Sequence, residues 1–146
     1  MDAEAMTFEA DKFDLVIGEA ILHHLDLETS YREIARVLKP DGRAIFMEPL
    51  GHNPAINAFR NRTPHLRTPD EHPLLRSDFK LADRYFHETE FRYHHFTSFA
   101  ALPLIKTKLF RPVLALFDTV DAGLLKICPP LGYLYWYAIM ILKRPR

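Results

Sequence analysis

The chain has a single cysteine, Cys128, so no internal disulfide can form. Set ahead of Pro129 and Pro130, it reads as a small apolar residue rather than a nucleophile. Its five glycines, Gly18, Gly42, Gly51, Gly123 and Gly132, lie far apart, and no GxG element exists. A glycine-rich phosphate or dinucleotide cradle built from these 146 residues is therefore excluded. Nineteen basic residues balance nineteen acidic ones, so there is no broad attraction to nucleic acid or anionic lipid. Aromatic residues fall at core spacing rather than between cations, so no nucleic acid is expected as a partner. The longest apolar run, Leu131 to Leu142, is well short of the ~20 residues that span a bilayer. The first residues are acidic and mixed, without the basic-then-apolar pattern of a secretory leader, and the expected compartment is cytoplasmic.

What is present begins with a composition that is 48% apolar, enough to bury one core, and residues 1–146 read as a single domain. Leu15, Val16 and Ile17 form one short apolar run, and Ala44, Ile45, Phe46 and Met47 another, the pattern of parallel strands covered on both faces. Between them Leu27, Tyr31, Ile34, Ala35 and Leu38 recur at helical spacing. Asp26 is placed to cap that helix, and Lys39, Pro40, Asp41 and Gly42 to end it, with Gly42 free to take positive φ. The pattern is a βαβ crossover over residues 1–49.

After Pro49, four prolines, at 54, 64, 69 and 73, interrupt residues 50–76, which read as a loop or lid with a helical turn near Ala55 to Arg60. In residues 77–146, Ser77 is placed to cap a helix carrying Phe79, Ala82, Tyr85 and Phe86. Residues from Phe91 to Phe99 alternate as a strand, Pro112 suits a first helical position, and Tyr133 to Leu142 is a β-rich run. The residues from Leu102 to Leu116, with Lys106, Lys108 and Arg111 interleaved, read as a helix packed on the sheet with a cationic flank; the alternative is a peripheral contact with a lipid surface.

The words FDLVIGEAILHHL and REIARVLKPDGRAIFMEP, in this order, resemble the fourth strand, following helix and fifth strand of a class I S-adenosylmethionine-dependent methyltransferase. The resemblance is strong to about Thr68 and loose beyond. It implies an α/β fold, a partial doubly wound, Rossmann-like sheet with two parallel strands, an antiparallel C-terminal strand pair and helices on the faces. The last strand would insert between the fifth strand and the strand carrying His94. It implies S-adenosyl-L-methionine as cofactor, with Asp2 and Ala3 on the adenine side, and Gly18, Glu19 and Ala20 near the methionine part. The alternative for Gly18 is that it only relaxes a strand end. The family's glycine-rich turn and ribose-binding carboxylate have no counterpart here, so the expectation is the trailing portion of such an enzyme, a mis-called start, or a degenerate copy.

Methyl transfer from a sulfonium is an in-line displacement that often needs a base for the nucleophile's proton. His52 is the first candidate, with Glu48 at the strand tip; His65, Arg67, Asp70 and His72 are candidates for the acceptor, a small-molecule or lipid-like compound. His23 and His24 are adjacent and expected to point apart, in structural service, so no metal site is expected. The alternative to catalysis is a noncatalytic remnant that binds no cofactor. A further expectation is self-association through the fourth-strand edge, where the first strand of such a sheet has no counterpart. A nicotinamide-dependent dehydrogenase would lack its own glycine fingerprint and leaves the LHHL and LKPDG words unexplained.

Overall fold

The computed structural model describes residues 2–68 and 71–146. Strand β1 (Phe13–Glu19), helix α1 (Leu27–Val37) and strand β2 (Leu38–Pro49) form the expected crossover, with β1 and β2 parallel from Leu15 opposite Arg43 to Glu19 opposite Met47. The helix forms where its apolar spacing places it. Asp26 accepts the Thr29 N–H at 2.8 Å, and Leu27, Tyr31, Ile34 and Ala35 are buried on one face.

The helix stop differs from expectation. No described glycine has positive φ; α1 runs directly into β2, and residues 39–42 bulge from the ladder between the Phe13–Leu38 and Leu15–Arg43 pairs. Gly42 is needed there for space, since a Cβ would lie 2.9 Å from the Lys39 carbonyl oxygen and 3.0 Å from that of Phe13. Lys39 pairs with Asp14 at 2.8 Å beside the bulge.

The proline-rich segment is less bare than a loop. Helix α2 (Pro54–Arg62) opens on Asn53, whose side-chain oxygen accepts the Ala55 and Ile56 N–H groups at 2.9 and 3.2 Å, with Pro54 in the first turn. Helix α3 (Arg76–Ala82) is not capped by Ser77, which lies inside it; Asp78 reaches back to the Leu75 N–H at 2.7 Å. Strand β3 (Phe86–His94) starts earlier than the aromatic alternation implied, taking Phe86 from the expected helix, and stops earlier because His95 takes φ of 65° and turns the chain away. Helix α4 (Phe110–Ile127) begins ahead of Pro112, and strand β4 (Tyr137–Pro145) begins after a 3-10 turn at Pro129–Leu134.

The four strands run in the order β1-β2-β4-β3, with β4 antiparallel to both neighbours, the arrangement the resemblance implied. Tyr31, Phe46, Phe79, Phe86 and Met140 belong to one buried cluster that joins α1 and α3 to the sheet. Helix α4 does not follow the expected packing on the sheet; its principal contacts are with the turns at Ser98–Leu104 and Pro129–Leu134. At the other end of the order, β1 has no partner on its outer side among the described residues, and Ile17 is 70% exposed.

Candidate functional site

In an open sheet of this kind ligands collect beyond the carboxyl ends of the parallel strands. Here β1 ends at Glu19, and Ala20 takes φ of 50°, a left-handed conformation unusual for a residue with a Cβ. Its N–H donates to the Met47 carbonyl at 2.8 Å, and the chain swings from the strand into a 3-10 turn at Leu22–His24. That turn leaves N–H groups unpaired, and the tip of β2 satisfies them. Glu48 is fully buried and accepts from Ile21 N–H at 3.0 Å, Leu22 N–H at 2.9 Å and His23 N–H at 3.4 Å.

The same carboxylate lies 2.7 Å from His23 Nδ1. A carboxylate only accepts, so Nδ1 carries a proton toward Glu48, and in the neutral ring Nε2 is the nitrogen left to accept. Nε2 lies 3.7 Å from a Glu71 oxygen, and the other Glu71 oxygen is held by Arg67 at 2.6 Å. The His72 N–H donates to the His23 carbonyl at 2.6 Å, which ties residues 71–72 to this turn.

A cavity of about 250 Å³ opens over the strand tips, lined by Ala20, His23, Arg60, Arg67 and Glu71 among others. Arg60 donates to the Leu50 carbonyl at 2.8 Å and to Asn57 at 3.1 Å. Burial, with the Arg67 charge beside it, holds its guanidinium below the usual arginine range. With Arg67 paired to Glu71, Arg60 is the cation of this lining whose charge favours an anionic or strongly polar group. Ile56, Phe59 and Trp136 are shared with a second, apolar slot of about 220 Å³ that extends to Phe99 and Leu102. The two cavities form an amphipathic cleft, polar at the strand tips and apolar away from them.

The expected site residues fall into two groups. Ala20 and Arg67 line this cleft, and Glu48 lies buried behind it, against the cleft-lining His23. Glu19 is exposed beside them. Gly18 serves the core, because a Cβ there would run into the Phe46 ring. Asp2 is exposed and accepts the Glu4 N–H at 2.9 Å; Glu4 in turn accepts the Asp26 N–H at 2.8 Å, which brings Ala3 and its neighbours to the start of α1, just past the β1 tip. His52, by contrast, accepts the Arg76 N–H on Nε2 at 3.0 Å and lies against the Tyr133 ring, bracing α3 outside the lining of the cavity. His72 pairs with Asp78 at 3.2 Å and His65 is exposed on a turn; neither lines the cleft. Asp70 lies outside the described residues.

The adjacent histidines do not point apart. On the tight turn the rings of His23 and His24 lie 4.1 Å apart, and with Glu71 they bring three ligand-type atoms within 4.8 Å of one another. Each already has a protein partner: Glu48 for His23, Thr68 at 3.2 Å for His24, and Arg67 for Glu71. His23, Arg60 and Trp136 are the cleft residues that sequence reasoning passed over. The available signal was a histidine right after one strand tip and a glutamate on the next.

Residues 1–46 match a family model described as a methyltransferase domain. The uncharacterized methyltransferase YcgJ of Bacillus subtilis (strain 168) is 36% identical over 69 residues, which cover 46% of this chain and 27% of that protein. Among solved structures, phosphoethanolamine N-methyltransferase 2 of Haemonchus contortus in complex with S-adenosyl-L-methionine gives a TM-score of 0.63 over 99% of this chain and 36% of its own, at 14% identity. A SAM-dependent methyltransferase of Methanosarcina mazei gives 0.58 over 99% and 65%, at 19% identity. The chain thus spans about a quarter of its curated relative's length and about a third of the Haemonchus enzyme's.

Proposed function

Since the chain is related to the class I S-adenosylmethionine-dependent methyltransferases, by sequence over residues 1–46 and by fold over nearly its whole length, we propose that it forms the acceptor side of a methyl-transfer site. The observation that carries this reading is the buried Glu48–His23 pair, which turns an imidazole lone pair toward an amphipathic cleft at the strand tips. The Gly18–Ala20 tip and the Asp2 segment lie at the same end of the sheet and supply polar and backbone groups suited to the methionine and adenine ends of the cofactor. When bound, S-adenosylmethionine supplies an electrophilic methyl group. The chain's own residues then have defined tasks. Arg60 draws the polar end of the acceptor in, Phe59 and Trp136 hold its apolar part, and His23 Nε2 takes the proton that the nucleophile loses. Glu48 fixes the tautomer and steadies the imidazolium that forms. An acceptor with a polar head and an apolar body fits this cleft.

Titration of S-adenosylhomocysteine into the purified chain by calorimetry tests the reading: a saturable heat is expected. A second reading, a noncatalytic module that pairs with another chain, is favoured by one observation, the bare edge of β1 with Leu15 and Ile17 exposed. It would give no ligand heat. It would also give concentration-dependent self-association by sedimentation velocity, abolished by Ile17→Lys, which places a charge on the edge.

A further inference from the structure

Helix α4 is built with its polar residue inward and an apolar face outward. Asp121 is its one fully buried residue, and it accepts from the Phe96 and Thr97 N–H groups at 2.9 Å each, from the Thr97 hydroxyl at 2.6 Å and from the Ser98 N–H at 3.4 Å. The Tyr135 hydroxyl donates to the Asp121 carbonyl. About 120° round the helix from Asp121, Leu109, Leu116, Val120 and Ile127 are separated by seven, four and seven residues, which at ~100° per residue places them in one line. All four are exposed, Leu116 at 62% and Ile127 at 84%. Leu102 and Ile105, exposed in the preceding segment, extend the apolar surface toward the slot, whose wall Leu102 also forms.

The charge around this surface is of one sign. Between residues 98 and 128 the exposed cations are Lys106 and Lys108 ahead of the helix, Lys126 to one side of the apolar line, and Arg111 on the far side of the helix with Asp118; the remaining acid, Asp121, is buried. A second copy of the helix is a poorer occupant, since Gly123 interrupts the line and Phe110, Phe117 and Leu124 flank it where paired charges would set a helix partner. A broad apolar face with aromatic and basic flanks matches an anionic bilayer surface.

We infer that the segment from Leu102 to Ile127 docks this protein on anionic lipid membranes, with the apolar line of α4 and Leu102 in the interface and the cations against lipid headgroups. The apolar slot then opens where an amphipathic acceptor would enter from the bilayer. That last step rests on the methyl-transfer reading; the docking does not, and vesicle flotation needs neither cofactor nor turnover.

The test is flotation of the full chain with vesicles of phosphatidylcholine alone and of phosphatidylcholine with phosphatidylglycerol. Binding is expected on the anionic vesicles, weakened by high salt, and reduced about tenfold or more by Lys106→Glu with Lys108→Glu. Leu116→Asp with Val120→Asp is expected to abolish it. Both substituted pairs are exposed, and an unchanged urea midpoint shows that each variant still folds. Absence of flotation overturns the inference, as does equal flotation of the Leu116/Val120 variant. So does a dimer in sedimentation that the Leu116/Val120 variant dissolves without any vesicle binding, which would make a second copy the occupant. A chain that floats yet gives no heat with S-adenosylhomocysteine keeps the docking and loses only the link to methyl transfer.

Discussion

Glu48→Ala is expected to cost about 4 kcal/mol of stability, roughly 1–3 kcal/mol for each buried donor left without an acceptor, less what water recovers in the space vacated. The side chain is wholly inside the protein and serves three consecutive N–H groups and one imidazole. Against a domain stability of about 5–15 kcal/mol, that loss leaves a protein that melts early or is partly unfolded at rest. Glu48→Gln keeps one oxygen acceptor and the volume but introduces two donors facing donors, and roughly half the loss is expected. Urea denaturation followed by circular dichroism measures both. A midpoint for Glu48→Ala close to that of the parent chain would mean that the turn after β1 is held by something else. Any methyl-transfer activity should also fall in the glutamine variant, because the amide carries no negative charge to steady the imidazolium of His23.

The second large effect concerns Asp121. Burial alone would raise its pKa, but the hydrogen bonds from the Thr97 side chain and backbone, and from the Phe96 and Ser98 N–H groups, outweigh it and hold the carboxyl below the usual range. A carboxyl whose folded pKa is depressed contributes stability above its unfolded value, 3.8, and that contribution is lost as pH falls through the folded value. Asp121→Ala is therefore expected to cost about 3 kcal/mol near pH 7, with charge-assisted hydrogen bonds worth roughly 1.5–3 kcal/mol each and not additive. The gap between parent and variant should narrow only below about pH 4, as the parent's own carboxylate is protonated. Chemical denaturation at a series of pH values checks this. A gap that is already closed at pH 6, or one that persists unchanged through pH 3, would contradict the assignment of Asp121 as an ionised clamp. The consequence reaches the membrane face, since the helix that carries Leu116 and Val120 outward is oriented by this one inward carboxylate.

Much of the architecture could be read from periodicity. The strand, helix and strand from Phe13 to Pro49 stand where the apolar runs and the Asp26 cap put them, because each local preference agrees with the buried face it serves. The antiparallel insertion of the last strand followed from the family resemblance. Element boundaries were less legible where a single backbone angle decides them: His95 at φ 65° ends β3, and no pattern of side chains announces it. Helix α2 was read only as a turn near Ala55 to Arg60, because the prolines suggested a loop, although Asn53 is a capping residue and Pro54 sits in the first turn. Helix α4 misled in the opposite direction. Its apolar line reads as a core face, yet the helix is fastened by a polar residue and the line faces out.

The cleft was half legible. Glu48 and Arg67 were found because they sit at a strand tip and in the following loop. His23 was set aside because adjacent histidines on a regular element diverge, whereas the left-handed Ala20 and the 3-10 turn fold both rings to one side. His52 attracted attention by its nearness in sequence to β2, but its Nε2 is spent on the start of α3. Partnership in three dimensions, not residue type, separates the two.

Nitrogen-15 NMR of the His23 imidazole tests the central claim most directly, with the signal assigned by loss in His23→Asn. In its neutral form the ring is expected to carry its proton on Nδ1, bonded to Glu48, and to show an unprotonated Nε2 that responds when an acceptor analogue enters the cleft. A proton on Nε2 with Nδ1 bare, or an Nε2 signal indifferent to every ligand of the cleft, would remove His23 as the proton acceptor and with it the proposed chemistry of the site.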